Sequence, residues 1–196
     1  MIDLWFSTPI LRLENFMSEK ENESVYEYSK CLKNLNKVSN VESWLSKTPS
    51  SYNEYDCRSA NVLWPLHNKV DDCVNTFAEK LGAALKMKCN WSWFNYYGKN
   101  DYQESHIHPN NHFSAVYFVK SDEGSSPFIL KNPKTNMNSF QFKEHNDLNF
   151  EYVKYQPTNN SLIIFESCIQ HMVPKNTTEE RITMSFNYSE EKECQK

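Results

Sequence analysis

Hydrophobic periodicity changes character at Lys88, and that change constrains the fold more than any other feature of the chain. Upstream, Leu66 to Leu85 repeats apolar residues at helical spacing. Val70, Cys73, Val74, Phe77, Leu81, Ala84 and Leu85 share one stripe, with Asp71, Asp72, Glu79 and Lys80 mostly off it. Glu19 to Lys37 is a weaker amphipathic stretch through Val25, Tyr28, Leu32 and Leu35. Downstream, the apolar runs are short and rich in β-branched and aromatic residues: Cys89 to Tyr97, Phe113 to Val119, Pro127 to Leu130, Phe150 to Tyr155, Ser161 to Phe165 and Arg181 to Tyr188. Turn-forming stretches separate them, among them Gly98-Lys99-Asn100, Asn132-Pro133-Lys134 and Pro157 to Asn160. Helices first and strands afterwards predict an α+β, mainly β chain: a jelly-roll barrel of two sheets backed by N-terminal helices. A length of 196 residues fits one domain, with 1–87 as helical and extended support, 88–188 as the β core and 189–196 as a polar tail.

The opening reads as two extended pieces, Ile2 to Phe6 and Pro9 to Leu13, broken at Ser7-Thr8-Pro9, and Thr48 to Asp56 reads as a polar loop. With three glycines in the chain, left-handed backbone positions must fall largely to the abundant Asn. The net charge of −4 argues against a dedicated nucleic-acid binder. No stretch approaches the roughly 20 apolar residues of a membrane span, and the N-terminus lacks a signal-peptide pattern. A cytoplasmic protein is expected, in the host's cytoplasm if the source is viral. The six cysteines, Cys31, Cys57, Cys73, Cys89, Cys168 and Cys194, form no C-x-x-C pair and read as reduced thiols rather than a zinc site.

Chemistry concentrates in the histidines. Three of the six fall in Gln103-Glu104-Ser105-His106-Ile107-His108-Pro109-Asn110-Asn111-His112. On extended backbone, residues two apart share a face, so His106 and His108 project together. Neutral imidazoles placed side by side are natural ligands of one transition-metal ion, although H-x-H pairs on solvated loops also arise by chance. His171 strengthens the metal reading, because it follows the buried-strand pattern Ser161-Leu162-Ile163-Ile164-Phe165 and a short turn. Arg181 then opens a strand that period two divides into a polar row (Arg181, Thr183, Ser185, Asn187) and an apolar row (Ile182, Met184, Phe186). Either this is an edge strand with its polar row in water, or the row faces into the barrel. In the second case the buried guanidinium requires an anion, and its planar fork matches a carboxylate. His67 and His145 read as surface residues. Trp91, Trp93, Phe94, Tyr96 and Tyr97 read as sheet packing.

Taken together, the two-histidine segment, the strand-turn-histidine and the following arginine resemble the 2-oxoglutarate and iron(II)-dependent dioxygenases. His106-Ile107-His108-Pro109 followed by Phe113-Ser114-Ala115-Val116-Tyr117-Phe118-Val119 is similar to a bacterial and phage branch with an H-x-H-P segment before a strand of the type S-G-V-Y-Y. Ser161 to Ser167, His171 and Arg181 to Asn187 match that branch's C-terminal block, and Phe6-Ser7-Thr8-Pro9-Ile10 echoes its start. The resemblance spans most of residues 91–188 and leaves 14–65 uncovered. It implies a double-stranded β-helix that uses Fe(II), 2-oxoglutarate and O2, releases succinate and CO2, and hydroxylates its substrate. It also implies roles: His106 and His171 as iron ligands, Arg181 with Ser185 as partners of the co-substrate's far carboxylate, and Asn95 and Tyr117 along its pocket.

One departure stands out: His108 occupies the position where the wider family has Asp or Glu. A three-histidine site is chemically sensible, since imidazole suits iron(II) and a dianion can neutralise the metal. His112 is the alternative third ligand, and Glu104 a more distant one. Two other classes remain open: a cupin-like three-histidine dioxygenase that does not use 2-oxoglutarate, and a non-catalytic jelly-roll module. The partner, a small molecule or a protein, and the oligomeric state are not readable from the sequence.

Overall fold

The computed structural model describes residues 6–134 and 142–191. The first helix, α1 (Glu19–Asn34), starts at Ser18, which accepts from the Glu21 amide while the Glu21 carboxylate accepts from the Ser18 amide. This reciprocal cap satisfies two otherwise orphaned donors. It buries Val25 and Leu32. The second, α2 (Trp64–Lys80), opens with Pro65, whose missing N–H costs nothing there. It buries Leu66, Val70, Val74 and Phe77. The helix stops short of the expected Leu85: Gly82 sits at φ +88, and Leu81 and Leu85 are left exposed.

Eleven strands follow the sequence pattern closely among the described residues. They are β1 (Leu11–Leu13), β2 (Ser39–Asn40), β3 (Pro49–Ser50), β4 (Met87–Tyr97), β5 (Gln103–His106), β6 (Phe113–Ser121), β7 (Phe128–Lys131), β8 (Tyr152–Tyr155), β9 (Ser161–Glu166), β10 (His171–Val173) and β11 (Arg181–Glu190). They form a seven-stranded sheet, β1-β9-β6-β11-β4-β3-β2, facing a four-stranded sheet, β5-β10-β7-β8. Every pairing is antiparallel. This is the mainly β, helix-backed double-stranded β-helix expected from the sequence. The segment Thr48 to Asp56 is not wholly loop, since Pro49 and Ser50 pair onto the large sheet. Ser189 and Glu190 belong to β11 rather than to a tail. Ile2 to Trp5, Cys194 and the rest of the tail past Glu191 lie outside the described residues.

The large sheet is covered on both faces, so it separates two apolar cores. Its outer face packs on the helices through Phe94, Tyr96, Tyr117, Met184, Phe186 and Tyr188, together with Leu66, Val70 and Val74 of α2. Its inner face meets the small sheet through Val116, Phe118, Ile163 and Phe165, against Phe128, Leu130 and Val173. β11 lies between β6 and β4, so it is a central strand and the edge-strand reading fails. Its apolar row joins the helix side, and Arg181, Thr183 and Ser185 turn inward, where they line a cavity. Asn residues take the left-handed positions at 15, 36, 100, 110 and 160, as the shortage of glycine requires. Among the described residues no helix is long and apolar enough to cross a membrane.

Candidate functional site

The inner cavity lies between the two sheets and is lined by both. The small sheet supplies the histidines. β5 and β10 pair with His106 directly opposite His171, which places the two rings 4.2 Å apart between centroids. His108 lies just beyond β5, where its amide donates to the Ser167 carbonyl at 3.0 Å. Its ring is 5.0 Å from each of the other two. The potential ligand atoms of His106, His108 and His171 all lie within 4.8 Å of one another.

Two of the imidazoles are oriented by backbone. His106 Nδ1 is 2.7 Å from the Glu104 carbonyl and His171 Nδ1 is 2.9 Å from the Ile169 carbonyl. A carbonyl can only accept, so each Nδ1 carries the proton and each Nε2 keeps a free lone pair. Burial holds all three rings in the neutral form: it lowers His106, lowers His108 to about 3 with help from His106, and pushes His171 well below the usual range. Three neutral, convergent imidazoles, two of them with their second nitrogen fixed by a carbonyl, make a donor set suited to a divalent transition metal.

The large sheet supplies the opposite wall. Arg181 is 1% exposed, and its Nε, Nη1 and Nη2 have no hydrogen-bond partner among the described residues. Its guanidinium lies over the rings of Tyr97, at 4.6 Å, and Phe118, at 5.5 Å. Burial lowers its pKa and the neighbouring Tyr97 opposes that, yet an arginine remains charged in any such setting. A buried, unpaired guanidinium lining the same cavity as three imidazoles fits a ligand with a carboxylate at one end and metal-chelating oxygens at the other. Asn95 and Ser185 lie on the same wall, with Asn95 Nδ2 donating to Ser185 Oγ at 3.2 Å.

Not every residue singled out from the sequence arrives here. Tyr117 is turned to the helix side of β6, where its hydroxyl donates toward Asn22 Oδ1 at 2.6 Å and Asn160 Oδ1 at 2.9 Å, so it lines no part of the cavity. Val116, its neighbour in sequence, takes the cavity wall instead. His112 is exposed and stands outside the histidine trio, its amide and carbonyl being spent on Tyr188 and Ser167. The Glu104 carboxylate accepts from the amides of Leu45, at 2.8 Å, and Ser46, at 3.2 Å. His67 is buried rather than on the surface; it stacks edge-on against Phe186 with Nε2 3.3 Å from Ser92 Oγ.

The sequence reading missed Trp44. The Glu104 carboxylate anchors the following residues, Leu45 and Ser46, and Trp44 lines the cavity with its ring tilted against Tyr52 at 5.6 Å. Tyr52 in turn meets Trp93 edge-on at 5.0 Å, and Trp93 meets His108 at 5.8 Å. Trp93 is thus cavity wall as well as sheet packing.

Comparison with known proteins came to the same region. Residues 91–187 match a family described as "Putative 2OG-Fe(II) oxygenase". No curated protein sequence matches the chain. Among solved structures, a Pseudomonas putida prolyl-4-hydroxylase aligns with TM-score 0.72 at 11% identity, covering 95% of this chain and 95% of that one. A prolyl hydroxylase from Trichoplax adhaerens, solved with a hypoxia inducible factor peptide, aligns with TM-score 0.70 at 15% identity over 93% of this chain and 84% of that one. The α-ketoglutarate-dependent epimerase SnoN of nogalamycin biosynthesis gives 0.68 at 11% identity over 93% and 79%. At these identities the likeness is one of fold.

Proposed function

Because the chain belongs, through residues 91–187, to the 2OG-Fe(II) oxygenase family, we propose that it hydroxylates its substrate at an iron held by His106, His108 and His171. The observation that carries this reading is the pairing of that trio with the unpartnered guanidinium of Arg181 in one buried cavity. The proposed net reaction converts substrate C–H, O2 and 2-oxoglutarate to substrate C–OH, succinate and CO2. When bound, iron(II) and 2-oxoglutarate supply the activation of O2.

The chain's own residues do the rest. His106 and His171 present Nε2 while their Nδ1–H groups stay on carbonyls, which fixes ring orientation. Arg181 would hold the far carboxylate of the co-substrate, which its planar fork matches, with Ser185 on the same wall. Phe128, Phe165 and Trp93 keep water out, which strengthens every charge interaction within. Asn95 orients Ser185. A cupin-like dioxygenase without 2-oxoglutarate would leave Arg181 buried and unpaired, so the geometry favours the dicarboxylate-using reading.

A cytoplasmic setting belongs to the same proposal, as does a small-molecule or peptide substrate, the latter because one solved neighbour was captured with a peptide. The test is succinate release from 2-oxoglutarate by the iron-loaded protein, with and without candidate peptides. Absence of 2-oxoglutarate binding to the metal-loaded protein would refute the reading.

A further inference from the structure

Charge balance inside the cavity points to a third ligand. Among the described residues no Asp or Glu lines the cavity, and Arg181 is its one permanent charge. The Glu104 carboxylate is turned to the amides of Leu45 and Ser46. Resting on the reading above, a dication held by three neutral imidazoles, together with the guanidinium, exceeds the charge of a 2-oxoglutarate dianion by one. With a carboxylate in place of His108 the same assembly would be neutral. Uncompensated charge in a buried, aromatic-walled space is costly, and it is relieved by an anion of single charge.

The structure also offers a donor for that anion. Trp93 is 3% exposed, lines the cavity and meets the His108 ring edge-on at 5.8 Å. Its Nε1–H is buried and has no acceptor among the described residues. An indole nitrogen can only donate, so whatever completes it must carry an acceptor. Besides the Arg181 nitrogens, Asn95 Oδ1 is also unpartnered among the described residues that line the cavity. A half-turn of that amide would let the Ser185 hydroxyl donate to Oδ1 and would free Nδ2 as a further donor beside the cavity.

We propose that the cavity takes a monoanionic group next to His108, held by Trp93 Nε1–H, while 2-oxoglutarate is bound. The group is either a carboxylate of the substrate or a small inorganic anion.

The test loads the protein with cobalt(II), saturates it with 2-oxoglutarate, and titrates in acetate, azide or chloride at constant ionic strength while the visible d–d bands are followed. A saturable change is expected. Acetate binding more tightly than azide and chloride assigns the site to a substrate carboxylate, and the reverse order to an inorganic anion. Trp93→Phe, which keeps a ring but loses the N–H, should weaken anion binding about tenfold or more, the lower end of what losing a hydrogen bond to a charged group does. His108→Asp, which returns a fixed negative charge, should weaken it at least as much while cobalt and 2-oxoglutarate still bind. No saturable change in the parent protein, or equal anion affinity in both variants and the parent, overturns the proposal alone. Cobalt bands that ignore 2-oxoglutarate itself would overturn the proposed function as well.

Discussion

Replacing Arg181 by Met should make the ligand-free protein more stable and the co-substrate unable to bind. The guanidinium is 1% exposed with all three nitrogens unpartnered among the described residues, so in the empty cavity it is a buried charge without hydrogen bonds. Its cation–π contacts with Tyr97 and Phe118 return about 0.5–2 kcal/mol. Replacement of even a buried ion pair by apolar side chains of similar volume stabilises by about 1–4 kcal/mol in favourable cases, and a charge without a counterion has less attraction to lose. A net gain near 1 kcal/mol corresponds to a rise in Tm of about 2–4 °C for a chain of this length. On the binding side, removing one partner of a buried, hydrogen-bonded charge pair costs about 2–5 kcal/mol, or roughly thirtyfold to several-thousandfold in Kd. Thermal melts of the metal-free protein, and of the metal-loaded protein with and without 2-oxoglutarate, read both effects. The upward shift that 2-oxoglutarate gives the parent should vanish in Arg181→Met, and the shift given by metal alone should persist. A variant that melts lower than the parent, or that still responds to 2-oxoglutarate, would show that Arg181 is a structural residue and refute the reasoning.

Three further outcomes follow from particular contacts. Metal added at about a hundred times its Kd should stabilise the parent by about 2.7 kcal/mol; His171→Ala should abolish this response and His112→Ala, outside the trio, should keep it, both read as melting shifts with zinc or cobalt. Burial lowers His67 to about 4, so the unfolded chain takes up a proton that the folded chain resists; this contribution is absent above the unfolded value near 6.5, and stability falls as pH drops from there to 4. His67→Leu should flatten that loss, about 3 kcal/mol at most, in urea midpoints measured at pH 7, 5.5 and 4.5, the histidine cluster being common to both proteins. Tyr117→Phe should lower stability by about 1–2 kcal/mol through its lost bonds to Asn22 and Asn160, while leaving 2-oxoglutarate affinity, read by calorimetry, within twofold.

The barrel and the strand on which Arg181 stands were legible because their signals are local. β11 alternates polar and apolar residues, and one face of it had to be buried. The Tyr117 misassignment has a physical cause: apart from Ser114, β6 is apolar from Phe113 to Val119 because helices cover one face and the small sheet the other, so alternation carries little information about direction. His67 was misread for a related reason, since an imidazole on a helix looks like surface until a sheet is known to cover it. Neither the opposition of His106 and His171 nor the Glu104 anchor under Trp44 could be seen, because both depend on long-range register between short strands and loops. The helix end at Gly82 was available in the sequence and was outweighed by an apolar stripe that continued past it.

His106 and His171 stand on the four-stranded sheet, with His108 just beyond β5, and the arginine stands on the seven-stranded one. A ligand that grips both works as a rivet through two plates, and without it the plates are joined at this point mainly by side-chain packing. Amide exchange in β5 and β10 should therefore slow when metal and 2-oxoglutarate are present together, far more than with either alone. β8, at the far edge of the small sheet, should change least.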